Sequence, residues 1–455
     1  MNCLKSKYSV ILGLINKGHE RSVKAKKNIL ASFMIKGLSF AMNLVLVPLT
    51  IDYVNPSRYG IWLTLSSIIS WFGFFDIGLG NGLRNKLAEA IAKGQEESAR
   101  IYVSTTYAVI CIIVGILLIL FLSINHFINW AKILNTSQEM ADELSILAVI
   151  VFVFFCLRFV FQLLNTVLTA NQEPAKASFF DFLGSLFSLI IIFILTKTTS
   201  GSLIYLGTTL SFTPVLVLTA FSFWFYSHDY KRFAPSIKYV KFKYTKSLLS
   251  LGSIFFIIQI GALLLFQTSN IIITQLFGPK EVTTFNVAYK LFSILIVVFT
   301  IIMTPFWSAF TEAYAKKDFG WIKDTFMKMQ KYLLFLSLLA ILLLAVSPFA
   351  YKLWLNNKVQ VPFSLSFVIS LYVIAICWLT LNCFFLNGIS KIRLQLYLYI
   401  ISIIINIPLA ILLGKVMGII GIPLSNLLVM FFMGIILHIQ SRKVINNSAT
   451  GIWNI

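Results

Sequence analysis

The feature that most limits what this chain can fold into is the recurrence of long apolar runs. A run of about 18 or more apolar residues can cross a bilayer as a helix, which satisfies its backbone hydrogen bonds internally. Twelve such runs can be read, roughly 29–53, 59–83, 101–124, 144–169, 178–197, 203–226, 248–277, 286–310, 332–354, 363–388, 394–413 and 416–440. The connections between them reach only about 20 residues, too short for a globular domain. The sequence therefore predicts an all-α polytopic membrane protein with 12 transmembrane helices, whose function must lie between helices. Charged residues make up 12% of the chain, against about 25% in a soluble domain. The five Cys (Cys3, Cys111, Cys156, Cys377, Cys383) mostly lie in apolar stretches without a CxxC and read as reduced, buried small hydrophobes. No metal site and no cofactor are expected.

Cation placement sets the orientation. The 37 Lys and Arg against 16 Asp and Glu give a net charge of +21. On a soluble chain that excess would suggest nucleic acid; here it reports loops that face the cytoplasm. If the N-terminus is cytoplasmic, 27 of the 37 fall on the inside, seven on the outside, and Lys36, Arg158 and Lys290 within spans. Both termini are thus expected in the cytoplasm and the protein in a plasma membrane. Residues 4–16 are too short for a span, precede a basic stretch and lack a small-residue cleavage site, so they read as an interfacial helix rather than a signal peptide.

The two halves resemble each other at an offset of 223 residues. Glu89-Ala90-Ile91-Ala92-Lys93 returns as Glu312-Ala313-Tyr314-Ala315-Lys316, and Pro56 returns as Pro279. The expected division is a cytoplasmic N-terminal segment (1–28), an N-lobe (29–226), a basic linker (227–247), a C-lobe (248–440) and a cytoplasmic tail (441–455). Two pseudo-symmetric six-helix lobes would then enclose a central cavity near the midplane.

A charge at the bilayer centre costs about 2.5–3.5 kcal/mol on insertion scales, so such residues face a cavity or a partner. Helical spacing gathers the polar residues into stripes. Span 1 carries Lys36, Ser39, Asn43 and Thr50; span 4 carries Arg158, Gln162, Asn165 and Thr169. Span 7 carries Gln259, Gln267, Asn270 and Thr274, and span 8 carries Asn286, Lys290 and Ser293. These stripes are the expected cavity lining. Lys36 and Lys290 lie nearer the membrane edges, where snorkelling to headgroups is the alternative. Arg158 lies deep, where a buried ion pair is the alternative. Asn and Gln alone often only join helices. Asp76 opens the glycine-rich Asp76-Ile77-Gly78-Leu79-Gly80-Asn81-Gly82. It reads as a structural charge near the inner interface, paired with Arg84, Lys86 or Lys36, or as a coupling residue. Asp181 reads as interfacial. HExxH, a Walker loop and an Asp-x-Asp pair are absent from the sequence, which argues against a membrane enzyme and a self-contained ATP-driven pump.

The run Val47-Pro48-Leu49-Thr50-Ile51-Asp52-Tyr53-Val54-Asn55-Pro56-Ser57-Arg58-Tyr59-Gly60-Ile61-Trp62 resembles the first outer turn of the polysaccharide flippases. These are the Wzx-type members of the multidrug/oligosaccharidyl-lipid/polysaccharide (MOP) exporter superfamily. The stretches from Asp76 to Ala90, from Asn270 to Leu291 and from Pro305 to Tyr314 resemble further patterns of that family, and Ser269 stands where relatives often carry an acid. The resemblance implies translocation of an undecaprenyl-diphosphate-linked oligosaccharide from the inner to the outer leaflet of a bacterial plasma membrane. The implied partners are that glycan, membrane lipids and glycan polymerase and assembly proteins, with no nucleic acid. Intramembrane Lys36, Arg158 and Lys290 against Asp76 leave a net positive interior, which suits a diphosphate or an acidic sugar. A drug or cation antiporter of the same superfamily would prefer buried acids. A scaffold for glycan enzymes is the non-transport alternative.

Overall fold

The computed structural model describes residues 20–76, 78–171, 173–249, 267–389 and 391–454. The segment 4–16 and most of the seventh expected span, Gln259 included, lie outside the described residues. The helices of the first half are α1 (Glu20–Val54), α2 (Pro56–Ser70), α3 (Leu79–Ala92), α4 (Glu96–Asn125), α5 (Trp130–Ile133), α6 (Ala141–Phe161), α7 (Leu163–Ala170), α8 (Pro174–Thr198) and α9 (Leu203–Ser227). The second half has α10 (described over 267–277), α11 (Pro279–Ala315), α12 (Phe319–Leu355), α13 (Phe363–Gly388), α14 (Arg393–Met417) and α15 (Gly421–Ile445). No strand occurs among the described residues.

Nine helical stretches among the described residues are long and apolar enough to cross a bilayer. One of them, Arg393–Ile445, holds both α14 and α15, folded back where Gly418 takes a positive φ of 67°. The second expected span is the broken run of α2 and α3, and α10 ends the seventh. Among the described residues each expected span thus has its helix, except the seventh, of which only 267–277 is described, and α13 begins and ends at the residues hydropathy gives. Sequence sets several helix starts. Asn55 caps α2 by accepting from the Arg58 amide, with Pro56 at the first position. Ser202 and Asp318 cap α9 and α12 in the same way.

Large side chains such as Ile119, Leu342 and Ile404 stand more than 60% exposed along the bundle surface. In a bilayer that surface meets acyl chains, so helix association relies on close packing and hydrogen bonds rather than on hydrophobic burial. Gly184 on α8 lies against Pro214 of α9, beside a Ser188–Thr213 hydroxyl pair. Trp378 of α13 covers Gly434 of α15. Within the first half α1 packs on α8, α8 on α9 and α9 on α6; within the second α13 is central, against α11, α12 and α15. Among the described residues the principal contact between halves is α2 on α11.

The repeat reappears as geometry. The run from Pro56 to Ala92 and helix α11 from Pro279 to Ala315 begin and end at positions related by the same 223-residue offset. Only the second copy is continuous. In the first, a 3-10 turn (Trp71–Asp76) and Gly78, with φ 77°, interrupt the helix. Gly73, Gly78 and Gly80 stand there where α11 has Ile296, Ile301 and Met303. Each Gly costs a helix interior about 1 kcal/mol relative to Ala, enough to favour a break.

The basic linker lies along the start of α4. The Arg100 Nε donates to the Ala234 carbonyl (3.1 Å), the Ser236 amide to Ser104 Oγ (3.0 Å) and the Lys241 amide to Thr105 Oγ1 (3.0 Å). This end of the bundle is called the linker end, and the opposite one, carrying the α1–α2 and α10–α11 turns, the turn end.

Candidate functional site

At the turn end the halves are sealed by a reciprocal contact between the repeat-related turns. Thr283 Oγ1 donates to the Pro56 carbonyl at 2.6 Å. Its repeat equivalent, Gly60, lies directly under the Pro279 carbonyl, where a Cβ would fall 1.7 Å from the oxygen. Around this clasp Thr64 and Thr274 hydroxyls meet at 2.6 Å, and Asn270 Nδ2 donates to Ser67 Oγ at 2.8 Å. Asn286 Nδ2 in turn donates to Asn270 Oδ1 at 2.8 Å. Asn135 holds the Thr274 carbonyl, Trp354 Nε1 donates to the Leu44 carbonyl, and Lys358 pairs with Asp52. Asn270 and Asn286, both from the expected polar stripes, are therefore engaged in a helix-joining seam, and Gln267 is half-buried at the described start of the same helix.

Toward the linker end, a cavity of about 340 Å³ opens between α3 and the join of α6 with α7. Gly80, Asn81 and Arg84 form one wall; Gln162, Leu163, Asn165, Thr166 and Thr169 form the other. The helix breaks after Phe161, with Gln162 between α6 and α7, yet Gln162, Asn165 and Thr169 still share one face as their spacing predicts. Thr169 Oγ1 donates to the Asn165 carbonyl (2.6 Å), whereas the Asn165 Oδ1 atom is buried without a partner. Arg84 is exposed into the opening and makes no ion pair or hydrogen bond with the described residues. The expected span 59–83 places Arg84 in the loop that follows; the break at Gly78 instead restarts the helix and sets Arg84 on the pocket wall.

The remaining charges fall in two groups. Lys36 on α1 and Arg158 on α6 are exposed, and both act electrostatically on the Asp181 carboxylate of α8. Arg158 is not part of the pocket lining. Lys290 is half-buried, with Nζ 5.8 Å from the centre of the Phe40 ring on α1. The α1 and α11 stripes thus approach each other, although the Asn43 amide donates back to its own helix at Ser39. The Asp76 side chain lies outside the described residues. Lys86, one of its expected partners, pairs with Glu89 at 3.1 Å. Outside the membrane, the Glu89 carboxyl is held below its ordinary range, first by a hydrogen bond from Lys93 and then by Lys86.

Sequence reasoning missed a polar stripe in the second half. Gln395, Tyr399, Ser402 and Asn406 line a buried face of α14. Asn406 Nδ2 donates to Asn426 Oδ1 (2.9 Å) and Asn426 Nδ2 to Ser269 Oγ (3.0 Å), all three residues buried. The position where relatives often carry an acid is here the end of a neutral amide chain. Among the described residues no cluster of metal-ligating side chains occurs.

The sequence pattern of a family described as polysaccharide biosynthesis protein matches residues 25–310, and the MatE pattern matches residues 255–412. A protein of Yersinia pseudotuberculosis named for O-antigen export is 23% identical over 359 residues, covering 76% of this chain and 79% of its own. One of Salmonella typhi named as an O-antigen transporter is 21% identical over 287 residues, covering 63% and 65%. Among solved structures, the inward-facing conformation of a multidrug resistance MATE family transporter of the MOP superfamily superposes with TM-score 0.74, at 16% identity, covering 92% of this chain and 98% of that one. The outward-facing conformation of a MATE family transporter gives 0.68, at 13% identity, covering 94% and 97%. The architecture of that fold is twelve transmembrane helices in two lobes. The first pattern takes in more than half of the chain, which therefore belongs to the polysaccharide biosynthesis protein family and is a membrane transporter of the polysaccharide-flippase type in the MOP superfamily.

Proposed function

We propose that this protein moves an undecaprenyl-diphosphate-linked oligosaccharide from the inner to the outer leaflet of a bacterial plasma membrane. The observation that carries the reading is the contrast between the two ends. The turn end is closed by hydrogen bonds and close backbone contact, while a polar pocket with the Arg84 guanidinium on its wall opens toward the linker end. Such a molecule can admit an anionic headgroup from one side only, leaving the lipid tail in the bilayer. Rocking of one half against the other would release the clasp, close the linker end and expose the headgroup to the opposite leaflet. In this reading the linker end and both termini face the cytoplasm, consistent with its cations. Glycan polymerase and assembly proteins would receive the product.

The test is reconstitution in proteoliposomes with a fluorescently tagged lipid-linked oligosaccharide. Protein-dependent transfer between leaflets, read by quenching from outside, is the expected result. No transfer of the glycan, together with efflux of a cationic dye against a proton or sodium gradient, would reject it in favour of an antiporter.

A further inference from the structure

The basic linker is not a loose tether. Near its start, the Tyr230 hydroxyl donates to Glu173 Oε2 (2.7 Å) and accepts from Asn171 Nδ2 (2.9 Å). Arg232 pairs with Glu96 (3.1 Å) and Phe233 is buried. The Arg100 guanidinium, which holds the Ala234 carbonyl, also lies over the Tyr239 ring at 4.4 Å. Farther on, Lys241 pairs with Glu97 (3.9 Å), and the Tyr244 ring meets Tyr102 edge-on at 5.5 Å. With the amides of Ser236 and Lys241 bonded to Ser104 and Thr105, the segment 230–244 is fixed to the first half along its length.

Two apolar side chains of this fixed segment nonetheless point away from the protein. Ile237 is 92% exposed and Phe242 56%. Each opens a 3-10 turn, Ile237–Tyr239 and Phe242–Tyr244, and each is followed by an exposed lysine, Lys238 and Lys243. Lys231 and Lys246 are exposed as well, and none of the four lysines makes an ion pair among the described residues. The depth of the segment decides what these side chains meet. The Tyr107 and Tyr226 hydroxyls lie 3.1 Å apart, which sets Tyr107 of α4 level with the last turn of α9, a helix of membrane-spanning length. Thr105 and Ser104 are two and three residues nearer the linker end, about 3–4.5 Å along the helix. The linker bonded to them therefore lies beside the end of α9, where acyl chains give way to headgroups. At that level an apolar tip enters the acyl boundary while a lysine beside it reaches phosphate oxygens.

We infer that the linker is an interfacial anchor that binds the anionic phospholipid surface of the leaflet at the linker end. Ile237 and Phe242 sit among the first acyl carbons, and Lys231, Lys238, Lys243 and Lys246 face the headgroups. Charge selects the occupant. The linker carries six Lys and Arg against Asp229 alone, and its two ion-paired cations leave four that match a negatively charged lipid surface. The apolar tips select a bilayer over a soluble acidic protein, which would leave them in water. Because the segment is fixed to the first half, the anchor holds that half to the leaflet. The inference does not depend on which molecule is transported.

The experiment places a bimane fluorophore on Ile237→Cys of the full chain, without the native cysteines, in phosphatidylcholine nanodiscs. Lipid brominated on its acyl chains is added in increasing fraction, as phosphatidylglycerol or as phosphatidylcholine. Brominated lipid should quench the fluorophore and aqueous iodide should not; a Lys323→Cys reporter, at the exposed start of α12, should show the reverse. Brominated phosphatidylglycerol should reach half-quenching at about a fivefold lower fraction than brominated phosphatidylcholine. An Ile341→Cys reporter, on the exposed apolar surface of α12, should respond to both equally. Lys231→Gln, Lys238→Gln, Lys243→Gln and Lys246→Gln together should abolish the difference, and the same four changed to Arg should keep it. Lys238→Gln alone should reduce it, and thermal melting checks that each variant is folded. Quenching by iodide and not by lipid places the segment in water, open to a soluble acidic partner, and overturns the inference. Equal response to the two brominated lipids, or an undiminished preference in folded Gln variants, overturns it as well.

Discussion

Gly60→Ala tests whether the turn-end clasp is the closed gate of a transport cycle. The added Cβ would stand 1.7 Å from the Pro279 carbonyl oxygen and 2.5 Å from its carbon, both backbone atoms that cannot rotate away. A tolerable carbon–oxygen approach is about 3.3 Å, so the two turns must part by about 1.6 Å. That movement stretches the Thr283–Pro56 and Thr64–Thr274 hydrogen bonds, each 2.6 Å long, beyond bonding range. Two such bonds at about 1 kcal/mol each and an overpacking cost of about 1–3 kcal/mol give about 3–5 kcal/mol against the sealed state. This corresponds to a shift of about a hundredfold or more toward the opened turn end. The assay is labelling of a Ser67→Cys reporter, in a background without the native cysteines, by a membrane-impermeant maleimide added from the turn side. Ser67 is buried in the seam and belongs to neither of the two bonds counted, so the parent should be protected and the Gly60→Ala protein labelled. Gly37→Ala, whose Cβ meets nothing within 4 Å, is the control. Protection and glycan transfer both unchanged in Gly60→Ala would refute the reasoning.

Three further outcomes are expected. Cysteines near Pro56, Gly278 and Asn357 should label from outside the cell, and those in 231–246 and 316–323 only after permeabilisation; outside labelling of 231–246 would reverse the orientation and the transport direction. Arg158→Ala should leave the protein inserted and reduce glycan export, with Lys a partial substitute and Glu worse than Ala; if abundance falls instead and Asp181→Asn restores it, Arg158 serves only to balance that carboxylate. Lys93 and Lys86 hold the Glu89 carboxyl below its ordinary value, so its contribution is present above that value and lost as pH falls through the lowered one. The melting difference between wild type and Glu89→Gln should therefore be larger at pH 7 than at pH 3, and an equal difference at both would dismiss the pairing.

The helices were legible in the sequence because an apolar run of bilayer length has few alternatives. Their breaks were not, because hydropathy is indifferent to backbone geometry. The run 59–83 has the mean apolarity of a single span, and its alternating glycines at 78, 80 and 82 allow either a close helix approach or a bent helix end without deciding between them. Hydropathy alone ends this span before Arg84 and cannot place it on a pocket wall. The Gln162, Asn165 and Thr169 face survived its own break, since one residue between two helices hardly disturbs a three-to-four-residue spacing. Asp181 shows no partner in its own helix; that α1 packs on α8 and brings Lys36 near it, while Arg158 approaches from α6, is a tertiary fact without a local signature. The stripe Gln395, Tyr399, Ser402 and Asn406 has the same spacing as Arg158, Gln162, Asn165 and Thr169 and was readable in principle. What periodicity cannot say is whether a stripe faces a cavity or, as with Asn406, a neighbouring amide.

Helices α11 and α12 contain 37 residues each. At 1.5 Å per residue they are about 55 Å long, against about 30 Å of hydrocarbon. Part of this hairpin must stand clear of the headgroups, and its linker-end tip carries Lys316, Lys317, Lys323, Lys328 and Lys331 against Asp318 and Asp324. Together with the basic linker, it gives the linker end of the bundle a fixed positive potential reaching about 8 Å into physiological electrolyte. A lipid diffusing in the leaflet meets that field before it meets the pocket, so the mouth has a capture radius in the plane of the membrane wider than its opening. Capture of an anionic lipid should consequently slow as ionic strength rises, whereas a neutral lipid arriving by the same route should be indifferent to salt.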